Sequence, residues 1–494
     1  VTQQIDRPAP QFLTGEKHLF IGGAWRPALS GKSFETFNPA TGEVIARIAE
    51  GEAQDIDLAV SAARKAFEGE WSRWTPMDRQ RLLLRILVLV EQNFDELALI
   101  ETLDMGVPCS RVANFKRGLS QMILFYASQT GAATTTTIAN SLPGQFRTTL
   151  QKAPLGVVGG IIPWNAPLMS MWWIFGPTLA TGCTAVLKPA EDASLTVLRM
   201  AQLIQEAGVP DGVVNVVTGY GATAGAALAA HRDVDRISFT GSTETGRKII
   251  AASAGNIKRV QLELGGKSPD IVFADTDLDA AVPGAAMGVY GNSGQVCVAG
   301  TRLFVQRSIH EEFVERLGSF SQGLRVGNGL DPNVQLGPLV SRTQLDRVLG
   351  YIGIGGEEGA ELSSGGKRLQ GDLANGYFVE PTVFSGVDND MRIAREEIFG
   401  PVISVIPFDD ADEALRLAND TVYGLAGGVW TRDVSTAFKM SQGIRSGTVW
   451  VNCYGVIDPA VGFGGTKMSG YGWKGTSEHV ESYLYQKAVY LNVG

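Results

Sequence analysis

The sequence predicts an α/β protein with two doubly wound α/β domains and a small β extension. Three observations carry this. From Gly156 onward, short apolar runs (VVGGII, TAVLKP, VVNVV, RISFTG, RVQLELGG) alternate with segments of helical periodicity. Parallel strands need such crossovers, so the alternation reads as an open parallel sheet. A second series (DIVFAD, TRLFVQ, VISVIPF, GGVWT, GTVWVN) repeats the pattern in the C-terminal half. A chain of 494 residues is also too long for one ordinary core.

Taken in order, the chain opens on an exposed arm that lacks the basic start and apolar core of a secretory signal. Glu52 to Phe67 and Asp78 to Met105 carry apolar residues at helical spacing, the second ending at Gly106 ahead of Pro108. Ser110 to Ala127 reads as a further helix. Thr134 to Leu150, rich in threonine and alternating in polarity, reads as strands leaving the globular body. A helix follows Pro167, another spans Ser194 to Ala207 and stops at Gly208 with Pro210 beyond, and a third starts at Thr243. In the second half, helices are expected from Leu278, His310, Ala411 and Val434. Tyr483 to Val493 alternates as an edge strand able to pair with another subunit.

With 51 acidic and 42 basic residues mixed along the chain, there is no electrostatic footprint for nucleic acid or an anionic membrane. The expected ligands are small molecules. Cys109, Cys183, Cys297 and Cys453 lie far apart and the four histidines do not cluster with them, so neither a metal site nor a disulfide framework is expected. A reducing, cytoplasmic setting fits. Ala153 to Leu187 is uncharged and long enough to span a bilayer, but Pro163, Pro167 and Pro177 and five glycines break it into strand, loop, helix and strand.

Two residues stand out as reactive. Cys297 lies in GNSGQVCVAGTR, among small residues whose backbone can approach a ligand closely; the alternative is a buried structural cysteine. Glu263 lies in the apolar run VQLELGG, where desolvation would raise its pKa toward that of a general base; the alternative is an ion pair with Lys267 or Arg259. Two glycine-bearing stretches could hold a nucleotide. The run from Gly219 through Gly221 to Gly225 is one residue off the dinucleotide fingerprint. The turn Phe239-Thr240-Gly241-Ser242 leads from a strand into a helix whose free N–H groups favour a pyrophosphate, or forms an ordinary cap.

Together with PWNAP (163–167), FTGSTETG (239–246) and EEIFGPV (396–402), these stretches resemble the aldehyde dehydrogenase superfamily. The likeness runs from FNPATGEVIA (37–46) to FGGTKMSG (463–470), nearly the whole chain. It implies an NAD-binding domain of residues 1–133 and 153–265, a catalytic domain of 266–479, and oligomerisation strands at 134–152 and 480–494, in a homotetramer or dimer. It makes Cys297 the nucleophile, Glu263 the base of the acid-forming branch, and the Asn165 amide with the Cys297 N–H the oxyanion donors.

For the cofactor the resemblance implies Ile162, Pro163 and Trp164 after the first strand, and Lys188 and Glu191 on the adenosine ribose. It adds Gly221, Gly225, Phe239, Thr240, Gly241 and Ser242 around the phosphates, and Leu264, Glu397 and Phe399 at the nicotinamide. Glu191 would accept hydrogen bonds from free ribose hydroxyls and repel a 2′-phosphate, which points to NAD. The aldehyde tunnel would be lined by Ala166, Met169, Trp173, Val296, Val298, Ile457 and Phe463, all apolar. This favours an aromatic or medium-chain aldehyde over an acidic one. The alternatives are an aminoaldehyde or betaine-aldehyde substrate attracted by Asp458, or a cysteine acyl-enzyme esterase. The chain departs from the family pattern at Ile174, where many members have a lysine nine residues after the asparagine, and at Ala166, often aromatic.

Overall fold

The computed structural model describes residues 10–494. Five parallel strands form the centre of the first sheet, in the spatial order Arg259–Glu263, Arg236–Thr240, Val157–Ile161, Thr184–Lys188, Val214–Val216. The chain enters at the middle strand, steps outward twice, then returns to the other side. The order therefore reverses between Val157–Ile161 and Arg236–Thr240, and a crevice opens at the carboxyl ends there. The apolar runs are continuous rather than alternating because helices cover both faces; Val157–Ile161 and Thr184–Lys188 are buried throughout.

Both edges of this sheet are closed by distant parts of the chain. Leu19–Ile21 pairs antiparallel to Val214–Val216 through Phe20 and Val216, with Ala24–Arg26 outside it. This corrects the expectation of an exposed N-terminal arm. Leu19, Phe20 and Ile21 are buried because the apolar LFI run can complete a sheet; residues 1–9 of the arm lie outside the described part. On the opposite edge Gly470–Tyr471 pairs antiparallel to Arg259–Glu263, setting Gly470 across from Glu263.

The second sheet has the order Glu361–Ser364, Thr382–Ser385, Val402–Phe408, Arg302–Gln306, Pro269–Val272, Ala426–Trp430, Thr448–Val451. All neighbours are parallel except the outermost pair, Glu361–Ser364 with Thr382–Ser385. A third sheet of Thr135–Ile138, Phe146–Pro154 and Leu484–Asn492 stands apart. Its two long strands pair from Leu484 opposite Pro154 to Asn492 opposite Phe146, and Leu484–Asn492 is an edge.

The helical readings need three corrections. Asp78 to Met105 is two helices, Pro76–Gln92 and Phe94–Met105, interrupted at Asn93. The Asn93 amide donates to the Leu89 carbonyl at 2.8 Å, the local competition that makes asparagine a poor helix interior. Ser110 to Ala127 likewise divides at Asn114 into Cys109–Ala113 and Phe115–Ser128. The helix after Pro167 is a turn, Pro167–Ser170, followed by Trp172–Thr181. No described helix is long and apolar enough to cross a membrane. Arg342–Glu357, with the strands Glu361–Ser364 and Thr382–Ser385, was not foreseen.

Candidate active site

Sheet register aligns the candidate residues before any side chain is considered. Ile161 lies opposite Lys188 on one side and Phe239 on the other, and Thr240 lies opposite Glu263. Four strand ends thus form one rim along the crevice of the first sheet.

Glu263 closes that rim with 2% of its surface exposed. One carboxylate oxygen accepts the Gly465 N–H at 3.2 Å, and the other has no hydrogen-bond partner. Burial raises its pKa to about 7, against the Lys474 charge and the Gly465 hydrogen bond, which favour the anion. Neither candidate ion-pair partner meets it. Arg259 donates to the carbonyls of Ser482 and Leu484, and the Lys267 ammonium is buried without a hydrogen bond.

The two glycines after Leu264 have a packing cause. A Cβ on Gly265 would lie 2.2 Å from a Glu397 carboxylate oxygen, and one on Gly266 would lie 2.5 Å from the Cys297 carbonyl oxygen. The strand end therefore lets two other segments come against it. The Gly266 N–H donates to Glu397 at 3.0 Å.

Cys297 follows the helix Leu278–Tyr290 and a tight turn, Gly291–Gly294. Its loop is pinned by Gln295, whose side-chain oxygen accepts the Val340 N–H at 2.9 Å, and by the Tyr454 hydroxyl, which donates to the Val298 carbonyl at 2.6 Å. Cys297 packs against an apolar cluster that includes Val298, Phe463 and Trp450, as do Val296 and Tyr454. Burial, with the Glu263 charge, pushes it up to about 12, and Lys474 acts in the opposite direction. That shift keeps it a protonated thiol at neutral pH.

Asn165 comes from the loop after Val157–Ile161 and reaches the cysteine loop. Its side-chain N–H donates to the Gln295 carbonyl at 2.9 Å, while Asn292 donates back to the Asn165 carbonyl at 3.0 Å. A loop of the first sheet is thereby tied to the segment that carries Cys297.

Farther along the rim, Lys188 is buried and its ammonium donates to Glu191 at 2.7 Å. Burial alone would raise Glu191, but that cation and hydrogen bonds from backbone N–H groups, including Gly221's, hold it below its usual value. Gly221–Gly225 forms a wide helical turn, and a Cβ on Gly221 would meet nothing within 4 Å. Ser242 caps the helix Thr243–Ser253 through the Thr245 N–H, so the capping alternative is realised at the same turn that faces the crevice. Phe399 sits at a φ of +63° with its ring 5.3 Å from that of Trp164, edge to face. Arg347 and Gln344, from the unforeseen helix Arg342–Glu357, hold the carbonyls of Glu397, Ile398 and Phe399.

The tunnel residues divide. Val296, Val298 and Phe463 pack around Cys297, whereas Met169 and Trp173 pack with the core of the first sheet. Ala166 caps the turn Pro167–Ser170, and Ile457 is exposed. Asp458 is exposed and accepts the Ala460 N–H at 2.8 Å.

Lys474 was missed by the sequence reading. It is 4% exposed, and its ammonium donates to Thr240 Oγ1 at 2.7 Å, beside Glu263 on the rim. Nothing in GYGWKGT marks a lysine for burial.

Comparison with known proteins agrees with this arrangement. The model of the "Aldehyde dehydrogenase family" matches residues 25–489. The chain is 45% identical to the mitochondrial aldehyde dehydrogenase of Homo sapiens, with 100% of this chain and 95% of that one covered. It is 45% identical to the mitochondrial benzaldehyde dehydrogenase of Antirrhinum majus, covering 95% and 88%. The solved NAD+ complex of an aldehyde dehydrogenase from Bacillus cereus superposes with a TM-score of 0.95 at 44% identity, covering 98% of each chain. With the match spanning both sheets and the seam that joins Asn165 to the cysteine loop, the chain belongs to the aldehyde dehydrogenase family.

Proposed function

We propose that this protein oxidises an aldehyde to its carboxylic acid with NAD, using Cys297 as nucleophile and Glu263 as base. The observation that carries the reading is the meeting of Cys297, Glu263 and Asn165 at the crevice of the first sheet, although they are far apart in sequence. The residues present also fit the cofactor. Lys188 and Glu191 form a charged pair at a strand end, and the Gly221 position is open. Trp164 and Phe399 present aromatic surface where the ring would lie.

In this reading the Cys297 thiol gives its proton to water, and its thiolate attacks the aldehyde carbon, giving a thiohemiacetal. The negative oxygen takes hydrogen bonds from the Asn165 amide and the Cys297 N–H. When bound, NAD accepts the hydride that the tetrahedral carbon must release to become a thioester. Ionised Glu263 then takes a proton from the water that attacks the thioester carbon, and the carbon–sulfur bond breaks to give the acid and free Cys297. Ile162, Pro163, Thr240, Gly241, Ser242, Gly225, Leu264 and Glu397 complete the cofactor's binding surface.

The apolar side chains at Val296, Val298 and Phe463 support an aromatic or medium-chain aldehyde, since none of them could pair with a substrate carboxylate. Exposed Asp458 gives the aminoaldehyde reading no support. The test compares kcat/KM for acetaldehyde, hexanal, phenylacetaldehyde, an aminoaldehyde and succinate semialdehyde, with NADH formation as readout. Hexanal or phenylacetaldehyde should lead, and an aminoaldehyde or semialdehyde at the head of the series would refute the apolar tunnel.

A further inference from the structure

The active site contains a buried cation that the proposed chemistry leaves without a role. Lys474 enters from the C-terminal loop, fixed by a reciprocal backbone pair with Phe463 in which both N–H···O distances are 2.7 Å. Its ammonium donates to Thr240 Oγ1, and Thr240 is the register partner of Glu263. The same loop supplies the Gly465 N–H to the Glu263 carboxylate. One segment therefore brings both a hydrogen bond and a positive charge to the end of the Glu263 strand.

The charge balance around the thiol gives this cation its importance. Glu263 and Glu397 both oppose a thiolate at Cys297, and Tyr454, whose ring packs nearby, carries no positive charge. The Lys474 charge acts the other way and favours the Cys297 anion. His479 adds no positive charge, because burial and the charges of Arg236 and Lys474 keep it neutral. Position 174 supplies no charge, since Ile174 is buried and packs onto the strand at Gly160.

Resting on the reading of Cys297 as nucleophile and Glu263 as base, we propose that Lys474 is a positioning residue whose ammonium favours the anionic forms of both, entering from the C-terminal loop rather than from the helix that bears Ile174. It touches no reacting atom and acts through the field at Glu263 and Cys297. Because it is buried beside them, that field is weakly screened by water.

The test is the pH dependence of iodoacetamide alkylation of Cys297 in the cofactor-free protein, followed by peptide mass spectrometry, for wild type, Lys474→Met and Lys474→Arg. Neutralising the lysine should shift the profile upward by about one pH unit or more, slowing alkylation at neutral pH by about tenfold. Lys474→Arg should restore most of the rate. The alkaline shift should also appear in the kcat profile, through Glu263. If Lys474→Met does not fold, Lys474→Gln makes the same comparison while keeping a donor for Thr240. Alkylation at Cys297 with an unmoved profile in the neutral variant would overturn the role of Lys474 alone. Loss of activity that tracks alkylation of another cysteine while Cys297 stays unmodified would instead overturn Cys297 as the nucleophile.

Discussion

Cys297 is a weak acid placed beside carboxylates, so its reactivity depends on where its proton and the neighbouring charges go. Cys297→Ala should abolish dehydrogenase activity while NAD binding, measured by fluorescence titration, survives. Of the remaining thiols, Cys183 is fully buried, Cys109 lies 3.8 Å from the Leu330 carbonyl oxygen, and Cys453 packs against the same apolar cluster as Cys297, so Cys453→Ala should leave activity intact as the control. For Glu263 the expected signature is kinetic. Glu263→Gln should give one burst of NADH and then turnover slowed by about a hundredfold or more, because thiohemiacetal formation needs no water-activating base. In the wild type only ionised Glu263 can accept the proton, so kcat should rise with pH and reach half its plateau near the carboxyl's value of about 7. A pH-independent kcat between 5 and 9 would show that another group is the base.

At the scale of elements, the proposed cofactor site makes the pair at the end of Thr184–Lys188 the determinant of cofactor choice. Glu191→Ser should relax the preference for NAD over NADP, which in the wild type should be about tenfold or more, or about 1.4 kcal/mol. Comparison of kcat/KM with both cofactors decides it. A second element effect concerns stability. Glu101 and Asp104, on Phe94–Met105, accept the N–H groups of Leu168, in the turn Pro167–Ser170, and of Leu195, at the start of the helix Leu195–Glu206. Burial raises them to about 8 and about 7. Unfolded acids titrate near 4, so the folded state holds more protons between about 4 and 8 and stability falls as pH rises through that window. Glu101→Gln should flatten part of that slope in urea unfolding measured from pH 5 to 8. The core strands were legible in the sequence because a parallel sheet demands unbroken apolar runs, and the burial of Glu263 because a carboxylate is conspicuous inside such a run. Arg342–Glu357 was not, since Gly350, Gly353, Gly355 and Gly356 lower its helical signal. Asn93 and Asn114 divide helices whose apolar spacing looks continuous. Lys474 owes its burial to the strand Gly470–Tyr471 and the Phe463 pair, neither of which local spacing reveals.

For the whole molecule, the third sheet ends in an open edge. Among the described residues nothing pairs with the outer side of Leu484–Asn492, and Tyr490 and Leu491 are 64% and 55% exposed. An open apolar edge invites pairing with a second copy. Leu491→Lys should lower the assembly state seen by sedimentation velocity, and a wild type that sediments as a monomer would remove the argument. The C-terminal segment also threads back through the first sheet, bringing Gly465, Gly470 and Lys474 to Glu263. On the ribosome, where earlier segments fold first, Cys297 and Glu263 emerge well ahead of the residues that give them their hydrogen bond and their cation. If Cys297 and Lys474 act as proposed, a nascent or prematurely terminated chain carries the thiol without the cation that favours its anion, and reactivity is withheld until synthesis has passed Lys474.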